Sequence, residues 1–140
     1  MKRLALFVLI GLFAFVTQAQ EEENEAPVVG AYLVFDESEF DFGDIHQGDQ
    51  VEHVFNFQNQ GTKPLILSNV ATTCGCTAPY WPKEPIPPGE KGEIKVKFNS
   101  SGKMGRQNKI ITVYSNSSQS MTRVKIVTNV LPPKKTETEG

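Results

Sequence analysis

Apolar and polar residues alternate with a period of two along much of the chain, and turn residues separate the alternating runs. Successive side chains of a β-strand point to opposite faces, so this pattern predicts strands with one buried face. The clearest run places Val51, His53, Phe55 and Phe57 on one face. The predicted strands lie at residues 32–35, 40–42, 51–58, 65–70, 93–98, 110–114 and 123–130. No run has a helical period, so we predict an all-β sandwich of about seven strands.

Two short motifs predict packing and turns. Phe40 and Phe42 lie one residue apart and share a face, and Gly43 then permits a turn, because glycine adopts positive φ without steric cost. Asn59 and Gly61 are typical of a hairpin connection between strands. We therefore interpret both motifs as structural.

The N-terminus has the features of a signal peptide. Two basic residues precede an apolar run over residues 4–16, and the small residues Thr17 and Ala19 follow it. The run is shorter than the stretch of about 20 residues that a spanning helix needs. We therefore predict a signal peptide at 1–19, cleaved after Ala19, and an exported protein that is periplasmic or secreted.

The rest of the chain divides into three parts. Residues 20–31 are predicted to be an acidic linker, residues 32–131 a single domain, and residues 132–140 a disordered tail. The chain has only two cysteines, Cys74 and Cys76, and neither is near the cleavage point. We therefore expect no lipid anchor, and no membrane span after signal cleavage.

Composition and charge exclude several classes of function. With 39% hydrophobic and 21% charged residues the chain is typical of a globular domain, and its net charge of −2 argues against nucleic acid as a partner. Two cysteines and two histidines leave little material for a closed structural zinc site, because two thiolates half-fill a tetrahedral site and no further cysteine or short His spacing completes it. No Ser-His-Asp or nucleophile-elbow pattern is present. We therefore predict that the protein is not an enzyme and uses no cofactor.

The motif Cys74-Gly75-Cys76 is the one feature of the sequence whose residue types indicate a specific chemistry, and it has three interpretations. In the first, the cysteines are buried or structural thiols. In the second, they form a local disulfide. A flat strand would hold their Cα atoms about 6.6 Å apart with parallel side chains and keep them from bonding, so this interpretation needs a bend at Gly75, which would close a strained ring. In the third, the two thiolates bind copper(I) or zinc, with His46 or His53 as a further ligand.

A proline-rich segment follows the cysteines over residues 77–88. Its five prolines cannot pair within a central strand, so we predict a loop. The loop carries two adjacent aromatic residues, Tyr80 and Trp81. They either cover the end of the sandwich or stand exposed as a contact for a partner such as a peptide or a sugar.

Several motifs occur in a fixed order over about residues 35–130. They are Phe40-Asp41-Phe42-Gly43-Asp44-Ile45, Gly48, Phe55, Asn59, Gly61, Pro64-Leu65, Cys74-Gly75-Cys76-Thr77, Pro88-Gly89, Phe98 and Ser115-Asn116. This order resembles the bacterial domain of unknown function 1573 family. Outside the cysteines it is similar to the eukaryotic ASPM, SPD-2 and Hydin domains and, more distantly, to major sperm protein domains.

The resemblance implies an immunoglobulin-like β-sandwich of about seven strands in two antiparallel sheets. The eukaryotic relatives act mainly as protein-interaction or targeting modules, so it also implies a non-catalytic interaction or scaffolding module. Together with the predicted export, this gives an expected protein partner in the bacterial cell envelope, contacted through Tyr80 and Trp81. The alternative is a small redox or soft-metal protein that uses Cys74 and Cys76, with His53 as a further candidate ligand.

Overall fold

The computed structural model describes residues 28–136. The predicted signal peptide at 1–19, the linker up to residue 27 and the tail beyond residue 136 lie outside the described residues. Within residues 28–136, no helix is long and apolar enough to cross a bilayer.

Eight strands form two sheets of four. They are β1 (Leu33–Phe35), β2 (Glu39–His46), β3 (Gln50–Asn59), β4 (Leu67–Thr72), β5 (Cys76–Tyr80), β6 (Lys91–Asn99), β7 (Gly105–Ser115) and β8 (Met121–Leu131). One sheet has the order β1-β3-β6-β5, and the other has the order β2-β8-β7-β4. The prediction of an all-β sandwich is confirmed, and the structure has one strand more than the expected seven.

The core lies between the sheets and follows the alternation of the sequence. In β3, Phe55 and Phe57 are buried while Asn56 between them is exposed. The largest fully buried side chains are those of Phe55, Phe57, Phe98, Leu65, Ile94, Ile111, Ile126, Val96, Val113, Val124, Val127 and Val130. Burial of apolar surface at about 25 cal/mol per Å² is the main favourable contribution to such a fold.

The predicted turn at Gly43 is wrong. Strand β2 continues through Gly43 to His46, and the register with β8 shifts between Asp41 and Asp44. Gly43 has a φ of 70°, so its conformational freedom serves a bulge within the strand and not a turn that ends it. The Thr128 hydroxyl donates to the Gly43 carbonyl at 2.8 Å and holds the bulge against the neighbouring strand.

The expectation of two purely antiparallel sheets is also wrong, because β2 runs parallel to β8. Hydrophobic alternation cannot reveal this, since it specifies which face of a strand is buried and not the direction of its neighbour.

Part of the predicted proline-rich loop is a strand, β5. It pairs with β6 alone and forms the edge of its sheet, and the register shifts between Thr77 and Tyr80. Pro79 lies inside this irregular stretch. An edge strand with a bulge tolerates proline, because the missing N–H need not face a neighbouring strand.

Candidate interaction groove and cysteine turn

An open groove of about 540 Å³ lies on the outer face of the β1-β3-β6-β5 sheet. Asn56 of β3 and Glu93 of β6 pair across the sheet and form its floor. Tyr80 and the proline-rich segment 82–87 border it, with Glu90, Lys91 and Gly92 completing the lining. We call this surface the Tyr80 groove. It lies on the outer face because Phe55 and Ile94, which adjoin its floor in sequence, point into the core.

The Tyr80 groove combines an exposed aromatic ring with an excess of negative charge. Tyr80 is 49% exposed, and the residues that line the groove carry three carboxylates, those of Glu84, Glu90 and Glu93, and one ammonium, that of Lys91. The groove therefore offers carboxylate acceptors beside an aromatic surface, which favours a ligand with cationic donors.

The two adjacent aromatic residues have different environments. Trp81 is half-buried and packs against the hydrophobic core, whereas Tyr80 is exposed. The Lys83 Nζ lies 2.8 Å from the centroid of the Trp81 ring, so the outer side of that ring is covered by a cation–π contact. Of the two, Tyr80 has the surface that a partner can reach.

The cysteines lie at the other end of β5 from Tyr80, in a tight turn. The Cys76 N–H donates to the Thr73 carbonyl at 3.0 Å, and Gly75 at the third position of the turn has a φ of 91°. The Thr72 hydroxyl donates to the Cys76 carbonyl at 2.9 Å. Both cysteines are free thiols, and Cys74 is exposed whereas Cys76 is buried.

The two thiols also differ in their electrostatic surroundings. Burial raises the pKa of the Cys76 thiol from 9.0 to about 11, although the charges of Lys109 and Lys103 act in the opposite direction. At Cys74 the Lys103 Nζ lies 3.8 Å from Sγ. The inner thiol therefore stays protonated at neutral pH, while the outer sulfur faces solvent and a positive charge.

His53 lies in an aromatic cluster and not in the cysteine turn. Its ring stacks on Phe40 with centroids 3.7 Å apart and an interplanar angle of 10°, and it meets Phe42 and Phe55 edge to face. Its Nε2 is paired with a carboxylate oxygen of Glu37. Within residues 28–136, no three His, Cys, Asp or Glu side chains are grouped so that they could hold a metal ion.

The other candidate ligand, His46, ends β2 at a turn. Its N–H donates to the Asp49 carboxylate at 2.9 Å, and its carbonyl accepts a hydrogen bond from the Ser100 hydroxyl at 3.0 Å. The backbone of His46 thus has a structural role in linking β2 to the turn before β3.

Sequence reasoning missed two features of these sites. The carboxylates of Glu84, Glu90 and Glu93 converge on one groove, although in sequence they read as ordinary solvated charges. Lys103 lies 29 positions after Cys74, and only the fold brings the two side chains together. No local pattern of charge marks either arrangement.

The fold and its solved neighbours define the class as an immunoglobulin-like β-sandwich. A protein of unknown function from Porphyromonas gingivalis W83 superposes with a TM-score of 0.62 at 18% identity, covering 79% of this chain and 51% of that one. The ASH/PapD-like domain 7 of human CEP192 gives 0.60 at 9% identity, covering 85% and 97%. The secreted serine protease VesC from Vibrio cholerae gives 0.58 at 15% identity, covering 76% and 25%.

The described fold thus corresponds to about half of the Porphyromonas chain and a quarter of VesC. At these identities the likeness concerns the fold alone.

A family model described as "Protein of unknown function (DUF1573)" matches residues 33–130, and the chain belongs to this family. The resemblance seen in the order of sequence motifs is thereby confirmed. No curated protein matches the sequence significantly.

Proposed function

We propose that this protein is a non-catalytic protein-interaction or scaffolding module of the bacterial cell envelope, and that it binds its partner through the Tyr80 groove. The observation that carries the proposal is the groove itself, where an exposed tyrosine borders a surface with three carboxylates. Tyrosine is enriched in binding hot spots, because it buries a large rigid surface at a low cost in conformational entropy. Neither a cysteine nor a histidine is among the residues that line the groove.

The partner fits best as an extended protein segment with lysine or arginine side chains. Three carboxylates against one ammonium attract cations, and this attraction speeds encounter and disfavours acidic partners. The groove is open and lies on the outer face of the sheet, so it can accommodate an extended backbone. The ASH/PapD-like domain of CEP192 shares the immunoglobulin-like fold with this chain, and that likeness supports the fold and not the role.

Affinity capture with matched variants tests the proposal. Tyr80→Ala should reduce capture of the envelope partner at least about tenfold, since truncation of an aromatic hot spot costs about 2 kcal/mol or more and about 1.4 kcal/mol is tenfold in affinity. Replacing Glu84, Glu90 and Glu93 together with Gln should weaken capture and reduce its dependence on salt. The matched control is Tyr114→Ala, because Tyr114 is 38% exposed on β7 in the opposite sheet.

Two results would contradict the proposal. One is a partner that binds wild type and both groove variants equally. The other is a partner that Tyr114→Ala releases and Tyr80→Ala retains. Circular dichroism of each variant establishes that the loss of binding is not a loss of fold.

Export is part of the same proposal. It is supported by the apolar run at residues 4–16 and the small residues that follow it. Protein recovered from the native host should begin at Gln20 and fractionate with the periplasm or the medium. Intact-mass measurement checks this, and a full-length species beginning at Met1 in the cytoplasm would contradict it.

A further inference from the structure

The cysteine turn places two thiols of opposite character one residue apart. Cys74 is exposed with an ammonium 3.8 Å from its sulfur, whereas Cys76 is buried at the start of β5. Reactive cysteine thiols are accessible to solvent and lie near positive charge, whereas buried structural thiols are inert. The two cysteines therefore cannot play the same part in any thiol chemistry.

The turn also bends the backbone between the two cysteines. An extended segment would hold the two Cα atoms about 6.6 Å apart, near the upper limit for a disulfide. The hydrogen bond from the Cys76 N–H to the Thr73 carbonyl folds this segment back on itself, and the positive φ of Gly75 permits the fold. The turn thus shortens the separation that argued against a local disulfide in a flat strand.

We propose that Cys74 and Cys76 form a thiol–disulfide exchange pair, in which Cys74 attacks a small accessible disulfide and Cys76 resolves the product. The Cys74 thiolate attacks one sulfur of the external disulfide, forms a mixed disulfide and releases one thiolate. The Cys76 thiol then loses its proton and attacks the Cys74 sulfur, which releases the second thiolate. The protein is oxidised by two electrons to an internal disulfide, and the external disulfide is reduced to two thiols.

Cys76 can leave the core because it lies at an edge. It begins β5, which pairs with β6 alone and has an irregular register, so local opening there breaks few hydrogen bonds. The contacts that must loosen are the pairing of Cys76 with Phe98 of β6 and the hydrogen bond from the Thr72 hydroxyl to the Cys76 carbonyl, while the hydrogen bond from the Cys76 N–H to the Thr73 carbonyl keeps the turn closed. A ring closed over one intervening residue is strained, and strained disulfides are the readily reduced ones, so the oxidation is reversible.

Gly75 is closely packed within this turn. A Cβ added there would lie 3.2 Å from both the Lys103 Cε and the Phe98 ring, at a φ that side chains rarely adopt. The glycine thus allows the close packing that holds Lys103 beside Cys74.

Reaction of the reduced protein with dithiodipyridine tests the proposal, since each attack releases one coloured thiopyridone. Wild type should release two equivalents and end two hydrogen atoms lighter, and dithiothreitol should restore the original mass. Cys76→Ala should release one equivalent and remain as a stable mixed disulfide. Cys74→Ala should react at least about tenfold more slowly, because its remaining thiol is buried.

A matched pair of lysine variants separates the role of the local charge from that of the fold. Lys103→Gln should slow the first attack while leaving the final stoichiometry unchanged, and Lys63→Gln, at an exposed lysine away from the turn, should change neither.

Three outcomes would overturn the proposal. The first is a wild-type protein that stops at a stable mixed disulfide. The second is two independent mixed disulfides, and the third is an equal rate for Cys74→Ala and Cys76→Ala. Should Cys76→Ala fold poorly, Cys76→Val keeps an apolar side chain in the core, and its stoichiometry is expected to be the same.

Discussion

Phe55→Ala is expected to lower the free energy of unfolding by about 3 to 5 kcal/mol, which is the usual cost of emptying a buried phenylalanine site. Phe55 is fully buried in β3, where its ring meets Phe35 at 6.3 Å and His53 at 4.7 Å, both edge to face. Equilibrium denaturation measures the loss. The matched control is Asn56→Ala at the adjacent exposed position, which should change stability by no more than about 0.5 kcal/mol.

An unchanged midpoint for Phe55→Ala would mean that the buried face of β3 is assigned incorrectly. A shift by one residue would expose Phe55 and bury Asn56. In that case the larger loss would appear in Asn56→Ala, so the pair of variants distinguishes the two registers.

Asn59→Asp should destabilise the protein by about 3 kcal/mol or more at neutral pH. The Asn59 side chain is fully buried, and its oxygen accepts from the N–H groups of Tyr32 and Gly61 at 3.2 and 3.0 Å. Its nitrogen donates to the carbonyls of Lys63 and Ile86 at 2.8 and 2.9 Å. An aspartate has the same shape but cannot donate, so its charge would face two carbonyl oxygens.

The sign of the pH dependence makes this prediction specific. Burial beside carbonyl oxygens favours the protonated acid, which raises the pKa of the introduced carboxyl in the folded state. The variant should therefore regain stability relative to wild type as the pH falls and lose it as the pH rises through that raised pKa. The control is Asn108→Asp at an exposed position of β7, and equal behaviour of the two variants would contradict the role assigned to Asn59.

The fold class could be predicted from the sequence because strand alternation is a local property. Phe55 and Ile94 are buried as their patterns predict, since each alternates with polar neighbours. The parallel pairing of β2 with β8 and the edge strand β5 depend on distant partners, and alternation carries no information about them. Gly43 shows the same limit, because a positive φ serves a bulge as well as a turn.

The candidate sites could be predicted only in part. The residue types of Tyr80 and the two cysteines indicate candidate sites in the sequence alone. The structure then places Tyr80 in a groove and the cysteines in a turn. The candidate ligand His53 lies on the same face of β3 as the core residue Phe55, and its ring packs among phenylalanines. Lys103 and the groove carboxylates come together only through tertiary packing, so their roles required the structure.

Photocrosslinking in living cells of the native host tests the central claim most directly. A photoreactive amino acid replaces Tyr80 in one protein and Tyr114, on the opposite sheet, in the other. The account predicts one specific adduct from position 80, containing an envelope protein joined through a lysine- or arginine-rich segment, and no such adduct from position 114. Absence of any adduct from position 80, or the same adduct from both positions, would contradict it.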